Sequence, residues 1–169
     1  MAGGKTAVQR PGQHRSVRRP GGFHIRPAKP DEADAVAACV KAAYRHYVAR
    51  IGTEPAPMRD DYAQVLRARQ VMVALIDKAI VGVLVMAVTD EGFLLENVAV
   101  VPACQGQGIG RALLELAEST AAQQGFGSIY LYTQEQMNEN LALYAKIGYV
   151  EYDRRNELGL ARVYMRKRF

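Results

Sequence analysis

Residues 105–111 read Gln105, Gly106, Gln107, Gly108, Ile109, Gly110 and Arg111, with a glycine at every second position and an amphipathic run behind them. Glycines at this spacing let the backbone turn tightly, so that successive N–H groups converge on an anion at a helix N-terminus. A diphosphate held there gains hydrogen bonds and a dipole contribution of roughly 0.3–1 kcal/mol, more when partly buried. Several folds use glycine-rich phosphate loops, and spacing separates them. A dinucleotide fingerprint needs G-x-G-x-x-G, but Gly110 comes one position early and Arg111 stands where the third glycine belongs. No acid follows about twenty residues on, at the end of a second strand, to meet a ribose. A P-loop needs a lysine and a hydroxyl after its last glycine, and Arg111-Ala112 supplies neither.

The elements around this loop define its setting. The segment 23–28 reads as a short strand ended by proline, and Pro30, Asp31 and Glu32 open a helix to about Tyr47 with acids in its first turn. Residues 50–58 form a turn-rich loop, and 60–68 have a helical pattern. Three β-rich runs at 70–76, 80–88 and 93–101, joined by short turns, predict an antiparallel meander. The third is apolar on both faces except at Glu96 and Asn97, as in a covered central strand. Strict alternation then sends Glu96 and Asn97 to opposite faces, so that only one of them lines a site.

After Pro102 comes the glycine loop and a helix whose stripe is Ile109, Ala112, Leu113, Leu116, Ala117 and Thr120, with Arg111, Glu115 and Glu118 opposite. A strand at 128–133, a helix at 138–148 and strands at 149–155 and 161–168 complete the order β α α β β β α β α β β. This is an α/β chain with a mixed sheet, in one domain spanning 23–169.

Bulk composition narrows the function classes. The net charge of +5 resides in residues 1–22, which hold Lys5, Arg10, Arg15, Arg18 and Arg19 and no acid; the other bases balance the 17 acids. The domain itself therefore offers no bulk case for nucleic acid. The basic N-terminal stretch lacks an apolar core of a secretory signal and reads as a disordered extension. No apolar run approaches membrane-spanning length, so no membrane partner is expected. Two cysteines suit a reducing cytoplasm: Cys39 as a small core residue, Cys104 as a spacer thiol at the loop mouth. His14, His24 and His46 are scattered without ligand spacing, and no metal site is expected.

With these residues in place the sequence resembles the GNAT N-acetyltransferase superfamily. "LENVAVVPACQGQGIGRALLELAE" is similar to its acetyl-CoA pyrophosphate segment, and "IYLYTQEQMNENLALYAKIGYVEY" to its following strand, helix and strand. The resemblance covers most of 23–169 and implies a central, mostly antiparallel sheet with helices on both faces. It implies acetyl-CoA as cosubstrate, its diphosphate on the backbone amides of Gln105, Gly106, Gln107, Gly108, Ile109, Gly110 and Arg111. Main-chain groups of Val98 and Val100 would pair with the pantetheine arm as with an added strand. The chain departs from the family where an asparagine commonly precedes the helix tyrosine by seven residues: Met137 stands there. Asn138 is expected to cap the helix. Asn140, on the same face as Tyr144, is expected to touch the cofactor.

Acetyl transfer from a thioester to an amine needs a neutral nucleophile, a held oxyanion and a proton for the departing thiolate. By the resemblance Tyr144 lies beside the sulfur and is the candidate general acid. A phenol of pKa about 10 stays protonated at neutral pH and can donate to a thiolate whose conjugate acid is about 8.5. An acceptor amine of pKa about 10.4 must be neutralised at a cost on the order of 4–5 kcal/mol. Glu96 is the candidate base, directly or through water; the alternative is an ordinary, partly exposed strand residue. The acceptor is a small-molecule or peptide amine, its site walled by the first helix, the 50–62 loop and the last two strands. Glu54, Asp60 and Asp61 could attract it, or could simply solvate a loop and a helix start. The sequence leaves the oligomeric state open, a homodimer through the last strands being one of the options. The rival readings are a non-catalytic acyl-CoA-binding module and a nucleic-acid-associated protein acting through its basic tail.

Overall fold

The computed structural model describes residues 17–18 and 22–169. The expectation for the N-terminal extension lies largely outside them, although Val17–Arg18 (β1) pair with the next strand, Phe23–Pro27 (β2). A 3-10 turn over Pro30–Glu32 leads into α1 (Ala33–Tyr44). Helical geometry then persists past the expected end near Tyr47, through α2 (Val48–Ile51), until Gly52 takes a φ of 82°. The proline-rich loop holds one helical turn, α3 (Ala56–Arg59), because Pro57 sits in its first turn, where a missing N–H costs nothing. Asp61 caps α4 (Tyr62–Ala68) by accepting from the amides of Ala63 and Gln64.

The meander follows as β3 (Gln70–Ile76), β4 (Ala79–Thr89) and β5 (Gly92–Val100). Beyond the glycine loop come α5 (Ile109–Gln123), β6 (Ser128–Gln134), α6 (Asn138–Lys146), β7 (Val150–Glu157) and β8 (Leu160–Arg168). The strand order is β1-β2-β3-β4-β5-β6-β8-β7, antiparallel throughout except between β5 and β6. The expected mixed sheet is thus observed.

Two cores flank the sheet. On one face Val36, Cys39 and Val40 of α1 meet Val71, Val73, Val83 and Val85. On the other, Ile109, Leu113 and Ala117 of α5 meet Ala74, Leu84, Met86 and Phe93. Alternate residues of β3 and β4 serve alternate cores, as the two-residue period of a strand demands. Gly82 lets α5 lie close on β4: a β-carbon there would come within 3.0 Å of Ile109 and 3.2 Å of Leu113. Gly82→Ala is expected to overpack this contact by roughly 1–3 kcal/mol, seen as a lowered Tm.

Arg26 of β2 holds Glu32 with two hydrogen bonds, of 2.9 and 2.6 Å, tying that strand to the start of α1. This contact, before burial opposes it, lowers the Glu32 carboxyl from its usual 4.5 to about 2. A depressed folded-state pKa contributes stability above the unfolded value that disappears as pH falls through the folded one. Glu32→Gln should therefore lower Tm at neutral pH, by roughly 2–4 °C per kcal/mol lost. That difference should shrink below about pH 4 and vanish near pH 2, as thermal melts across pH would show.

Candidate active site

β5 is bonded to β4 along its length but to β6 at only two positions, Phe93 with Ile129 and Leu94 with Tyr130. From there the two strands diverge, leaving one edge of β5 without a strand partner up to Val100. The Val98 carbonyl receives the Tyr44 hydroxyl at 3.5 Å, and the Val100 carbonyl receives the Gln105 side-chain amide at 3.2 Å. Both carbonyls therefore face side chains rather than a neighbouring strand.

The expected alternation along β5 fails at one point, and the failure builds the site. Phe93 and Leu95 pack against α5, and so do Val98 and Val100, while Ala99 packs toward α1. Residues 95 and 98 share a face only if an extra residue intervenes. Pairing slips accordingly: Val85 opposes Asn97, but Met86 opposes Leu95. Glu96 is the unpaired residue of a β-bulge, which re-aims side chains. Glu96 and Asn97 consequently line the same cavity instead of opposite faces. Two successive polar residues inside a doubly buried strand were the signal for this bulge.

That cavity measures about 230 Å³ and is walled by α1, the 55–62 segment, β5, β6 and β8. The Tyr44 hydroxyl donates to Asn97 Oδ1 at 2.7 Å, and Tyr62 donates to the Pro57 carbonyl at 2.7 Å. Glu96 is held by Arg69 at 2.7 Å. Asp60 faces the cavity as well, its carboxyl pushed up by burial and then by the charge of Glu96. Of the other acids considered, Asp61 serves as the helix cap and Glu54 does not reach the cavity. Tyr44, Tyr62, Arg69 and Arg162 were not apparent from sequence, since each lies on an element whose local pattern reads only as helix or strand.

At the other end of β5, Gly106 and Gly108 adopt φ of 78° and 84°, and a β-carbon on either would meet nothing within 4 Å. The left-handed backbone, rather than crowding, is what calls for glycine there. Gly108 is the N-cap of α5, and Ala112 is the first residue of the helix whose amide finds a carbonyl, that of Gly108, at 3.0 Å. The amides ahead of it have no acceptor within the helix. Ile109 is buried in the core and anchors the turn; a β-carbon on Gly110 would meet Val100 at 3.7 Å. Gln107 is exposed, and Arg111 points to solvent, pairing with Glu115 at 2.9 Å.

Tyr144 lies buried against Tyr149, ring centroids 5.7 Å apart. Burial, then Tyr47, raises its phenol above the ordinary value, so it is protonated at neutral pH. Its hydroxyl makes no hydrogen bond among the described residues. No fully buried side-chain oxygen there is left unpaired, so this one must keep some accessible surface. Asn140 accepts from the Tyr47 hydroxyl at 3.4 Å, and its amide meets the Met137 sulfur at 3.6 Å. The expected cap of α6 by Asn138 is not formed: Met137 is the N-cap, without a side-chain bond, and Asn138 opens the helix.

A loop of free amides, an open strand edge and an acid-lined cavity thus lie along one strand and the helix behind it. The model of the acetyltransferase (GNAT) family matches residues 31–149. The chain belongs to that family. Among solved structures, the PaiA N-acetyltransferase of Thermoplasma acidophilum in complex with coenzyme A superposes with a TM-score of 0.75 at 17% identity, over 87% of this chain and 99% of that one. The ribosomal-protein-S18-alanine N-acetyltransferase of Escherichia coli gives 0.70 at 18%, over 86% and 93%. YncA of Salmonella typhimurium with its cofactor acetyl-CoA gives 0.64 at 21%, over 87% and 94%. A mycothiol acetyltransferase of Jonesia denitrificans is 44% identical over 55 residues, 32% of this chain and 18% of that protein. The chain thus spans under a fifth of this curated relative. Among the described residues of this GNAT chain, no cluster of three or more His, Cys, Asp or Glu could hold a metal, and no helix is long and apolar enough to cross a membrane.

Proposed function

We propose that this GNAT chain is an acetyl-CoA-dependent N-acetyltransferase that moves an acetyl group to a primary amine by direct transfer in a ternary complex. The observation that carries the reading is the bulge in β5. It turns Glu96 and Asn97 into the cavity, immediately before the open edge at Val98 that runs on to the glycine loop.

The residues fit the cosubstrate. The Gln105 amide is already given to the Pro102 carbonyl at 3.3 Å, which leaves the amides of 106–111 for a diphosphate, and the edge groups of Val98 and Val100 suit the amide-bearing pantetheine arm. Asn140 stands on the face of α6 that carries Tyr144. Acetyl-CoA supplies an activated acyl group, and the remaining work falls to the chain. Glu96, oriented by Arg69, takes the proton of the acceptor amine directly or through water, with Asp60 beside it to attract the cation. A backbone amide near Val98 steadies the developing oxyanion. Tyr144 keeps a proton ready for the leaving sulfur. No cysteine lines the cavity, and Cys39 is buried with its thiol pushed up to about 12, first by burial and then by Cys104. Direct attack by the amine therefore has more support than an acyl-cysteine route. These free thiols also suit the cytoplasm.

The test is thiol release from acetyl-CoA with a panel of amines, amino acids, polyamines and peptides. Acceptor-dependent release supports the transferase; tight CoA binding with no release on any acceptor would make the chain a binding module instead. With an acceptor in hand, Glu96→Gln should lower kcat/KM by roughly 10²–10⁴ and change the pH–rate profile. An unchanged profile would remove Glu96 as the base.

A further inference from the structure

The cavity carries charge of both signs. Glu96 and Asp60 enter it from β5 and the turn before α4, and Arg162 enters it from β8. In the sheet β6 runs between β5 and β8, so the acids and the guanidinium approach Tyr132 of β6 from two sides. The Arg162 guanidinium lies 4.6 Å from the centre of the Tyr132 ring. Tyr132 registers all three groups: burial raises its phenol, Arg162 opposes that rise, and Glu96 and Asp60 add to it. Arg162 is only 15% exposed and gives Nη1 to Glu157 at 2.6 Å, with Tyr164 also beside it. A guanidinium presents five donors in a planar fork, so one bond to Glu157 leaves others for a ligand carboxylate. Of the remaining walls, Pro55, Pro57, Val65 and Met137 offer an apolar patch, beside the polar Tyr44, Tyr62, Asn97 and Thr133.

A volume of about 230 Å³ is below the roughly 300–1,000 Å³ of drug-sized sites. We propose that the acceptor is a small free amino acid with an apolar side chain, its amine beside Glu96 and Asp60 and its carboxylate on Arg162. This rests on the transferase reading and specifies its substrate. A polyamine would bring a second cation against Arg162, and a simple alkylamine would leave the guanidinium donors not taken by Glu157 without a ligand acceptor; both are selected against.

Leucine, methionine and phenylalanine, each beside its amide and its decarboxylated amine, provide the test. Thiol release should favour the free acid by about tenfold or more in kcat/KM. Calorimetry on the CoA-saturated protein should show the acid binding more tightly than its amide. In Arg162→Gln the preference should collapse, with turnover of the amide retained. Amides or decarboxylated amines turned over as well as the acids would overturn the amino-acid assignment and leave the transferase standing. CoA binding without release on any amine would bring down the transferase reading, and this assignment with it. The comparison on the unaltered protein decides the matter even if Arg162→Gln does not fold.

Discussion

Tyr144→Phe should lower kcat by roughly 10²–10⁴, the range for losing a positioned general acid, while CoA affinity stays nearly unchanged. The substitution tests this cleanly because the hydroxyl makes no hydrogen bond among the described residues, so its removal breaks no contact of the fold. The ring keeps its packing on Tyr149. Tm should hardly move. Burial keeps the phenol protonated at neutral pH, which argues against a phenolate base. Steady-state kinetics beside a CoA titration check both halves. An unaltered kcat would take Tyr144 out of the chemistry.

Gly108→Val should weaken CoA binding by tenfold or more, through two separable effects. The left-handed φ of 84° costs a β-branched residue about 1–2 kcal/mol, and the new side chain enters the open space ahead of α5. Gly125, at the far end of the same helix, provides the control. Its φ is 86° and a β-carbon there also meets nothing within 4 Å, but it is remote from the loop. Gly125→Val should therefore cost similar stability and leave CoA affinity alone. Equal loss of CoA binding in the two variants would mean that the effect is general strain rather than obstruction of an anion site.

The sequence made the elements legible because their periods are strong. The meander alternates or runs apolar, and the stripe of α5 is regular; Ile109, Ala112, Leu113, Ala117 and Thr120 are buried as that stripe requires. Element ends were read less well. α1 continues through further helical turns to Gly52, since nothing between Tyr44 and Ile51 forbids helix. At the site, the loop was legible from spacing, and the role of its glycines in backbone geometry is visible in their φ values. The relation between Glu96 and Asn97 was not. Alternation is a property of regular strands, and one extra residue in register reverses it for everything downstream. Arg69 and Arg162 were equally hidden, because their partners Glu96 and Tyr132 lie far off in the chain and are joined to them only by the sheet.

The central claim is that the turn before α5 binds the paired phosphates of coenzyme A. Amide NMR during a titration with CoA tests it most directly. The account predicts saturable binding of one ligand per chain, with the largest shifts at Gly106, Gly108, Ile109, Gly110 and Arg111 and a second set at Val98 and Val100. No binding, or shifts confined to residues away from this turn and strand edge, would contradict it.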